Sequence, residues 1–289
     1  MEAEGKDLIL DRGVSVTLAG DAASPRRRPG ALWLQHALLR CASIALFFAV
    51  WAAFSFANAR YLKFFNPVLM PSPLDVVRTG VELVESGELQ RDILASLSRV
   101  LQGFAIAAFA GVTLGMAVGR SRVLESLVDP TLELLRPIPP LAFLPMMVLW
   151  FGIGEASKIS FIAYAAFFPI FSTTLEGIKY VDPLLLRAAA SLGASQRDLF
   201  RYVVLPAATP AIITGLRLGF GLSFFVIVAA EFIAADSGLG YLINDARTFF
   251  LVSQMLLGAA VIGLIGFGFN RLLRLLEARL LRWRRTAWS

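Results

Sequence analysis

Residues Pro183–Pro206, PLLLRAAASLGASQRDLFRYVVLP, form a polar stretch set between two long apolar segments. The spacing predicts a short helix, a break at Gly193 and a second short helix. Ala188, Ala189 and Ala190 favour helix strongly, and Gly193 can adopt the left-handed backbone that ends one. Ser195 offers an N-cap for the next helix, with Asp198 three residues on, near the positive end of the helix dipole. Leu199, Val203 and Leu205 give this second helix an apolar side, and Pro206 is expected to stop it. A helix–glycine–helix hairpin between two apolar segments is stiff and compact. It suits pressing on a partner better than merely linking two helices.

The flanking composition says what those apolar segments are. The chain has 289 residues, 57% of them hydrophobic, and a mean hydropathy of +0.70. Soluble domains are nearer about 45–50% apolar, so the composition alone indicates an integral membrane protein. The net charge is +6. Its basic residues cluster at the ends of apolar runs, which points to positive-inside topology and anionic headgroups rather than to nucleic acid. The single cysteine, Cys41, allows no disulfide framework within one chain, and the single histidine, His36, excludes a histidine-based catalytic or transition-metal site. The sequence contains no G-x-x-x-x-G-K-[S/T] string, no Ser/His/Asp set and no Cys/His cluster. If the protein moves something uphill, the energy comes from a partner or from an ion gradient, and the chain is not expected to be an enzyme.

Outward from the hairpin, the hydropathy resolves into about six spans. Residues 1–35 read as a flexible cytoplasmic tail, and 36–92 as a first span with an amphipathic segment outside the membrane. The run Cys41–Ala57 is followed by a signal-peptidase-like Ala57-Asn58-Ala59, but the long acid-containing leader marks an uncleaved span. Val77, Val81 and Val84 give residues 74–89 the period of an amphipathic helix. The rest, 93–289, reads as one transmembrane domain with a basic C-terminal tail. Its first span, from about Ile93 to Val118, carries Gly111, Gly115 and Gly119 on one face, where another helix can approach closely. The next apolar run, Leu127 to Gly152, contains Pro137, Pro139, Pro140 and Pro145. Broken backbone at membrane depth is tolerated only where protein buries it or a watery cavity faces it, so this segment is the candidate lining of a pathway. Gly152–Glu155 makes an outer turn before a span from Ile159 to Leu175. Beyond the hairpin, Thr209–Ala235 has Gly215, Gly219 and Gly221 as packing sites. Ser237–Gly240 turns outside into a polar segment through Arg247. The last span, Leu251 to Phe269, ends in a run of arginines from Arg271 to Arg285. Six spans with both termini inside place every dense arginine group on one side.

Ala188, Ala189, Gly193, Val203, Leu205 and Pro206 fall at the spacing of the EAA loop, and so the chain resembles the membrane subunits of ABC importers. The resemblance extends to Leu135-Arg136-Pro137-Ile138-Pro139-Pro140-Leu141-Ala142, Leu149–Glu155, Ser191–Ser195, Ala229-Ala230-Glu231 and Ser237–Tyr241. These strings are similar to the permeases for nitrate, taurine, aliphatic sulfonates, bicarbonate and some vitamin precursors, over about residues 90 to 285. The resemblance implies an all-α membrane protein with a type I importer core and a cytoplasmic coupling hairpin that docks on a separate ATP-binding subunit. Arg187, Ala188, Ala189, Gly193, Ala194, Ser195, Leu205 and Pro206 would form that loop. Arg187 departs from the family, standing where the motif has its glutamate. The implied partners are the ATP-binding subunit, which would hold ATP and magnesium, a periplasmic or lipid-anchored solute-binding protein, and a second permease copy in a bacterial inner membrane. The solute would be a small one, such as a sulfonate, taurine or nitrate.

Ionisable residues inside spans are costly unless paired or facing water. Arg136, beside the prolines, is read either as an anion contact or gate ion pair, or as a structural partner for carbonyls the prolines leave free. Glu231 is expected to pair with Arg136 or Arg247, or to shape the outer mouth. With Pro137, Pro139 and Pro140 these two make up the candidate pathway. Arg217 is expected to snorkel or bond neighbouring loops. An ion-coupled secondary transporter or channel would also explain the spans and charges, but not the hairpin spacing.

Overall fold

The computed structural model describes residues 29–64 and 66–280. The expected tail up to Arg28 and the terminal Arg282, Arg284 and Arg285 lie outside the described residues. Among the described residues the regular structure is entirely helical: α1 (Pro29–Ala57), α2 (Pro73–Glu85), α3 (Glu88–Arg120), α4 (Arg122–Leu135), α5 (Pro140–Phe151), α6 (Glu155–Lys179), α7 (Pro183–Ser191), the single turn α8 (Gln196–Asp198), α9 (Leu205–Ala234), α10 (Leu239–Thr248) and α11 (Val252–Leu280). Five helical stretches are long and apolar enough to span a membrane, and a sixth span results if α4 and α5, bent by 99° at their break, count as one.

The chain forms two compact units, Met1–Val50 and Trp51–Ser289. In the first, α1 begins at Pro29, inside the stretch read as tail, and residues 38–50 are exposed along their whole length. An all-round apolar, all-round exposed helix is suited to lipid.

The second unit is built on α3, α6 and α9, which pack along one another. The cause is a row of residues with little or no side chain. Lipid tails are as apolar as leucine, so helices associate in a membrane chiefly through close contact. On α3 a β-carbon would meet Ile162 at 2.7 Å from Gly103, Ile170 at 2.9 Å from Gly111, Thr174 at 2.8 Å from Gly115, and Ile178 at 2.9 Å from Gly119. The expected Gly111–Gly119 stripe is therefore a packing seam, and it extends back to Gly103. Gly219 of α9 approaches Ile170 from the other side, within 2.6 Å of a β-carbon built there, so Ile170 fills the space between two glycine-lined backbones. Gly221 differs from the expectation. Nothing lies within 4 Å of its would-be β-carbon, because two residues along a helix turn it about 200° away from the α6 face.

Pro206 also behaves otherwise than expected. The second helix of the hairpin does not stop there but runs on as a π-turn, Leu199–Val204, directly into α9. The Leu205 amide bonds the carbonyl of Phe200, five residues back. That wider turn takes up the register around a proline at the second position of α9, where its missing N–H costs little.

The proline-rich run is broken rather than curved. Arg136 ends α4, and the bend passes through Pro137 and Pro139 to Pro140, the first residue of α5. First-turn amides have no intrahelical partner, so proline is tolerated there.

Helix α2 starts in a capping box. Ser72 donates from its amide (2.9 Å) and its hydroxyl (2.7 Å) to Asp75, whose own amide bonds Ser72 Oγ at 3.3 Å. The Ser72 hydroxyl and then its amide hold the Asp75 carboxyl below the usual carboxylate range. Its buried face is Val76 and Leu83, with Gly80 against Leu257 of α11. The periodic valines Val77, Val81 and Val84 are exposed. The apolar stripe is broad enough for two faces, and the narrower one, with a glycine in its middle, admits α11. The expected polar outer segment after Ser237 is helix α10, which buries Leu239, Gly240, Leu242 and Ala246.

The two kinds of glycine separate in a simple test. Gly115→Leu should destabilise the purified protein by about 1–3 kcal/mol through overpacking against α6. Gly221→Ala should be neutral or stabilise it by up to about 1 kcal/mol. Thermal unfolding in detergent or nanodiscs measures both, and equal effects would contradict the seam.

Candidate functional site

The hairpin is shaped by three local devices. Asp182 caps α7, its carboxylate accepting from the Leu184 amide at 2.8 Å, with Pro183 in the first position. At the far end of α7 the Gly193 amide bonds the Ala190 carbonyl at 3.0 Å and the Ala194 amide bonds that of Ala189 at 3.2 Å. This bond pair is the Schellman closure, and it needs the left-handed backbone that Gly193 adopts at φ +82°. Ser195 and Asp198 then form a reciprocal capping box. The sequence reading of this turn holds residue for residue.

No residue of α7, α8 or the π-turn is buried. Leu192 at the tip is 89% exposed, with Leu184, Leu185 and Tyr202 also outward. Arg187, Arg197 and Arg201 are exposed around them. The result is an apolar tip ringed by cations, on a backbone closed by its own hydrogen bonds. Arg120 at the end of α3 holds its base, its guanidinium 5.1 Å from the centre of the Phe200 ring. Arg187, Ala188, Ala189, Gly193, Ala194 and Ser195 thus lie together on the hairpin. Leu205 and Pro206 belong to the continuous helix that leaves it.

Arg136 sits in the α4–α5 bend, exposed, and donates from Nη2 to Ser172 Oγ of α6 at 2.7 Å. Its expected partner, Glu231, is elsewhere. Glu231 is tied through Arg99 to Glu155, and Glu155 and Ser172 are seventeen residues apart on α6, about 26 Å at 1.5 Å per residue. Nor is Glu231 bonded to Arg247. Arg217, expected to snorkel or to bond neighbouring loops, makes an ion pair of 2.9 Å with Glu277 of helix α11.

The true partners of Glu231 form a buried network at the end of the bundle away from the hairpin. Arg99 of α3 donates from Nη1 to Glu231 (2.7 Å) and to the Ser237 carbonyl (2.6 Å). Its Nε and Nη2 grip Glu155 as a fork, at 2.6 and 2.7 Å, and Nη2 also reaches Ser237 Oγ at 3.2 Å. Lys158 bonds the same Glu155 at 2.9 Å. Ser96 donates from Oγ to Glu231 at 2.7 Å. Three successive amides of the α9–α10 turn are then taken up by side chains: Gly238 by Asp92 (2.9 Å), Leu239 by Ser96 Oγ (2.8 Å) and Gly240 by Glu231 (2.7 Å). Gly238 has φ +118°, and a β-carbon there would strike the Glu231 carboxylate. Asp92, Ser96, Arg99 and Lys158 were missed by the sequence reading. The signal was present, an arginine inside an apolar span, but the helices that supply its partners are distant in sequence.

Residues 107–282 match the family described as the binding-protein-dependent transport system inner membrane component. The taurine transport system permease protein of Escherichia coli strain K12 is 41% identical, over 77% of this chain and 82% of its own length. The putative aliphatic sulfonates transport permease protein of Bacillus subtilis strain 168 is 36% identical, over 91% of this chain and 94% of its own length. The nitrate import permease protein of Synechocystis is 34% identical, over 72% of this chain and 79% of its own length. In structure, the chain is similar in fold to a chain of the crystal structure of an amino acid ABC transporter with histidines, with TM-score 0.56 and 21% identity, covering 71% of this chain and 97% of that one.

The two arginines should differ sharply on substitution. Arg99→Met strands the fully buried Glu231 charge and should cost about 3–5 kcal/mol of stability. Arg136→Lys alters one exposed bond to Ser172 and should cost no more than about 1 kcal/mol. Thermal unfolding of the purified variants measures the contrast, and an Arg99→Met protein as stable as its parent would remove the network from the fold's supports.

Proposed function

The chain belongs to the family of binding-protein-dependent transport system inner membrane components, the permease subunits of ABC importers, and we propose that its cargo is a small anion of the sulfonate, taurine or nitrate kind. That cargo reading is supported by the similarity to permeases named for taurine, aliphatic sulfonates and nitrate. The solute would arrive on a binding protein at the end of the bundle that carries the Arg99 network. The hairpin would face the cytoplasm with both termini, in a bacterial inner membrane.

The observation that carries the coupling role is the hairpin: an unburied, self-bonded knob with an apolar tip and exposed arginines. It would dock in a cleft of a separate ATP-binding subunit, where ATP and magnesium reside, and a second permease copy would complete the assembly. ATP-driven closure would draw two hairpins together. Because the π-turn makes the hairpin continuous with α9, and α9 is packed on α6 along glycines, that movement would pass into the bundle as a rigid-body one. The α4–α5 bend, with Arg136, Pro137, Pro139 and Pro140, would line the pathway. Glu231, only 1% exposed, would serve the frame and not the pathway wall. Arg187 would be tolerated in place of the motif's acid, since exposed ion pairs contribute only about 0–1 kcal/mol.

ATP-driven uptake in proteoliposomes, with binding protein and ATPase present and rates normalised to assembled complex, tests this reading. Gly193→Asp meets no atom within 4 Å inside the chain, and although φ +82° strains a side chain there, aspartate is among the residues that enter the left-handed region most readily, so the protein should insert and fold. A side chain at that point of the knob should nonetheless lower uptake and ATPase association by about tenfold or more, the effect of losing about 1.4 kcal/mol of docking free energy. Arg187→Glu should transport near normally. Full uptake by Gly193→Asp at normal complex yield would refute the docking role.

A further inference from the structure

The Arg99 network contains one carboxylate unlike the others. Glu231 and Asp92 are buried and each accepts a backbone amide of the α9–α10 turn. Glu155 accepts no bond from that turn: Arg99 and Lys158 hold it through side-chain bonds. Its side chain is 56% exposed, while those of its two cations are 3% exposed each. The turn that precedes it has open space at both its glycines. A β-carbon at Gly152 or Gly154 would meet nothing within 4 Å, and Gly152 takes φ +78°. So two buried cations converge on a single acid that reaches solvent from the first residue of α6, beside an open turn.

We propose that Arg99 and Lys158 form an oxyanion site at this end of the bundle, which Glu155 fills as a resident carboxylate and which an incoming sulfonate or similar monovalent oxyanion takes by exchange. The proposal deepens the anionic-cargo reading and rests on it. Arg99 has no spare donor, because all its N–H groups are taken, so an anion can be accommodated only by replacing an acceptor. Glu155 is the acceptor whose departure leaves the turn amides of Gly238, Leu239 and Gly240 bonded. Exchange of one monovalent carboxylate for one monovalent oxyanion also leaves the charge of the cluster unchanged, so neither buried cation is stranded. The guanidinium fork that grips two carboxylate oxygens fits two oxygens of a sulfonate equally well. On exchange, Glu155 and the Gly152–Gly154 turn are released from α3, and anion arrival thereby loosens the start of α6.

The test uses the permease assembled with its ATPase subunits in nanodiscs, without binding protein, and methanesulfonate as the probe. Dimethyl sulfone, its neutral counterpart, and chloride at equal ionic strength are the controls. Glu155→Ala and Glu155→Gln should melt below the parent and regain the loss saturably with methanesulfonate, binding it about tenfold or more tightly than the parent does, as calorimetry reads. Lys158→Gln added to Glu155→Gln should weaken that binding. Dimethyl sulfone and chloride should restore nothing. No regain overturns the proposal, and so does equal regain with chloride, which would be screening alone. If loss of Glu155 prevents assembly, Glu155→Asp, which retracts the carboxylate while keeping its charge, enters the same titration. Saturable regain specific to methanesulfonate then supports the exchange, and its absence overturns it. Because no transport is measured, import of a neutral solute would refute the cargo reading and leave this result legible.

Discussion

Arg99 brings five N–H donors to a position that is 3% exposed, and the bonds it makes join three helices and the α9–α10 turn. A guanidinium cannot shed its proton, so inside a bundle it must be given acceptors or not be buried at all. Here α9 supplies Glu231, the α9–α10 turn supplies Ser237, and α6 supplies Glu155. Ser96 and Asp92, one and two turns earlier on α3, complete the arrangement by taking turn amides. The direction in which α10 leaves α9 therefore depends on a charge in α3. The dependence is mutual, since Glu231 without Arg99 would be a buried, uncompensated anion.

The rest of the bundle gives that node something stiff to act on. Glycines on α3 and α9 let the backbones close on α6 until Ile170 is enclosed from both sides. In lipid such contact is the main source of cohesion, because no water is released when apolar helices meet. A seam of this kind does not shear easily. The network at one end and the hairpin at the other are thus ends of one packed body, α6 and α9 running its length. The permease assignment fits this layout: exposed loops at both ends, and a broken α4–α5 segment beside the rigid pair.

Much of this was legible in the residues. The hairpin was read correctly down to the Gly193 closure and the Ser195–Asp198 cap, because both depend on neighbours within a few positions. The spans followed from hydropathy, and the close-packing glycines at Gly111, Gly115 and Gly119 from their spacing. The misreadings share one feature: a local rule was right, but its outcome depended on something outside the window. Pro206 does remove a donor, yet a π-turn absorbs it. Gly221 is small, yet it points away from α6.

By itself the sequence determined the class, the spans, the hairpin and the family likeness, since these rest on composition and on interactions between near neighbours. Only the tertiary structure decided which charges belong together. Arg99 and Glu231 are 132 positions apart and Arg136 and Ser172 are 36 apart, and neither pairing leaves a periodic trace. A buried ion announces that it needs a partner, but its identity is fixed by which helix ends the packing seam brings to the same depth. Glu231 could meet Arg99 and not Arg136 because Arg136 lies far along α6 from the network, where the helix rise leaves it out of reach.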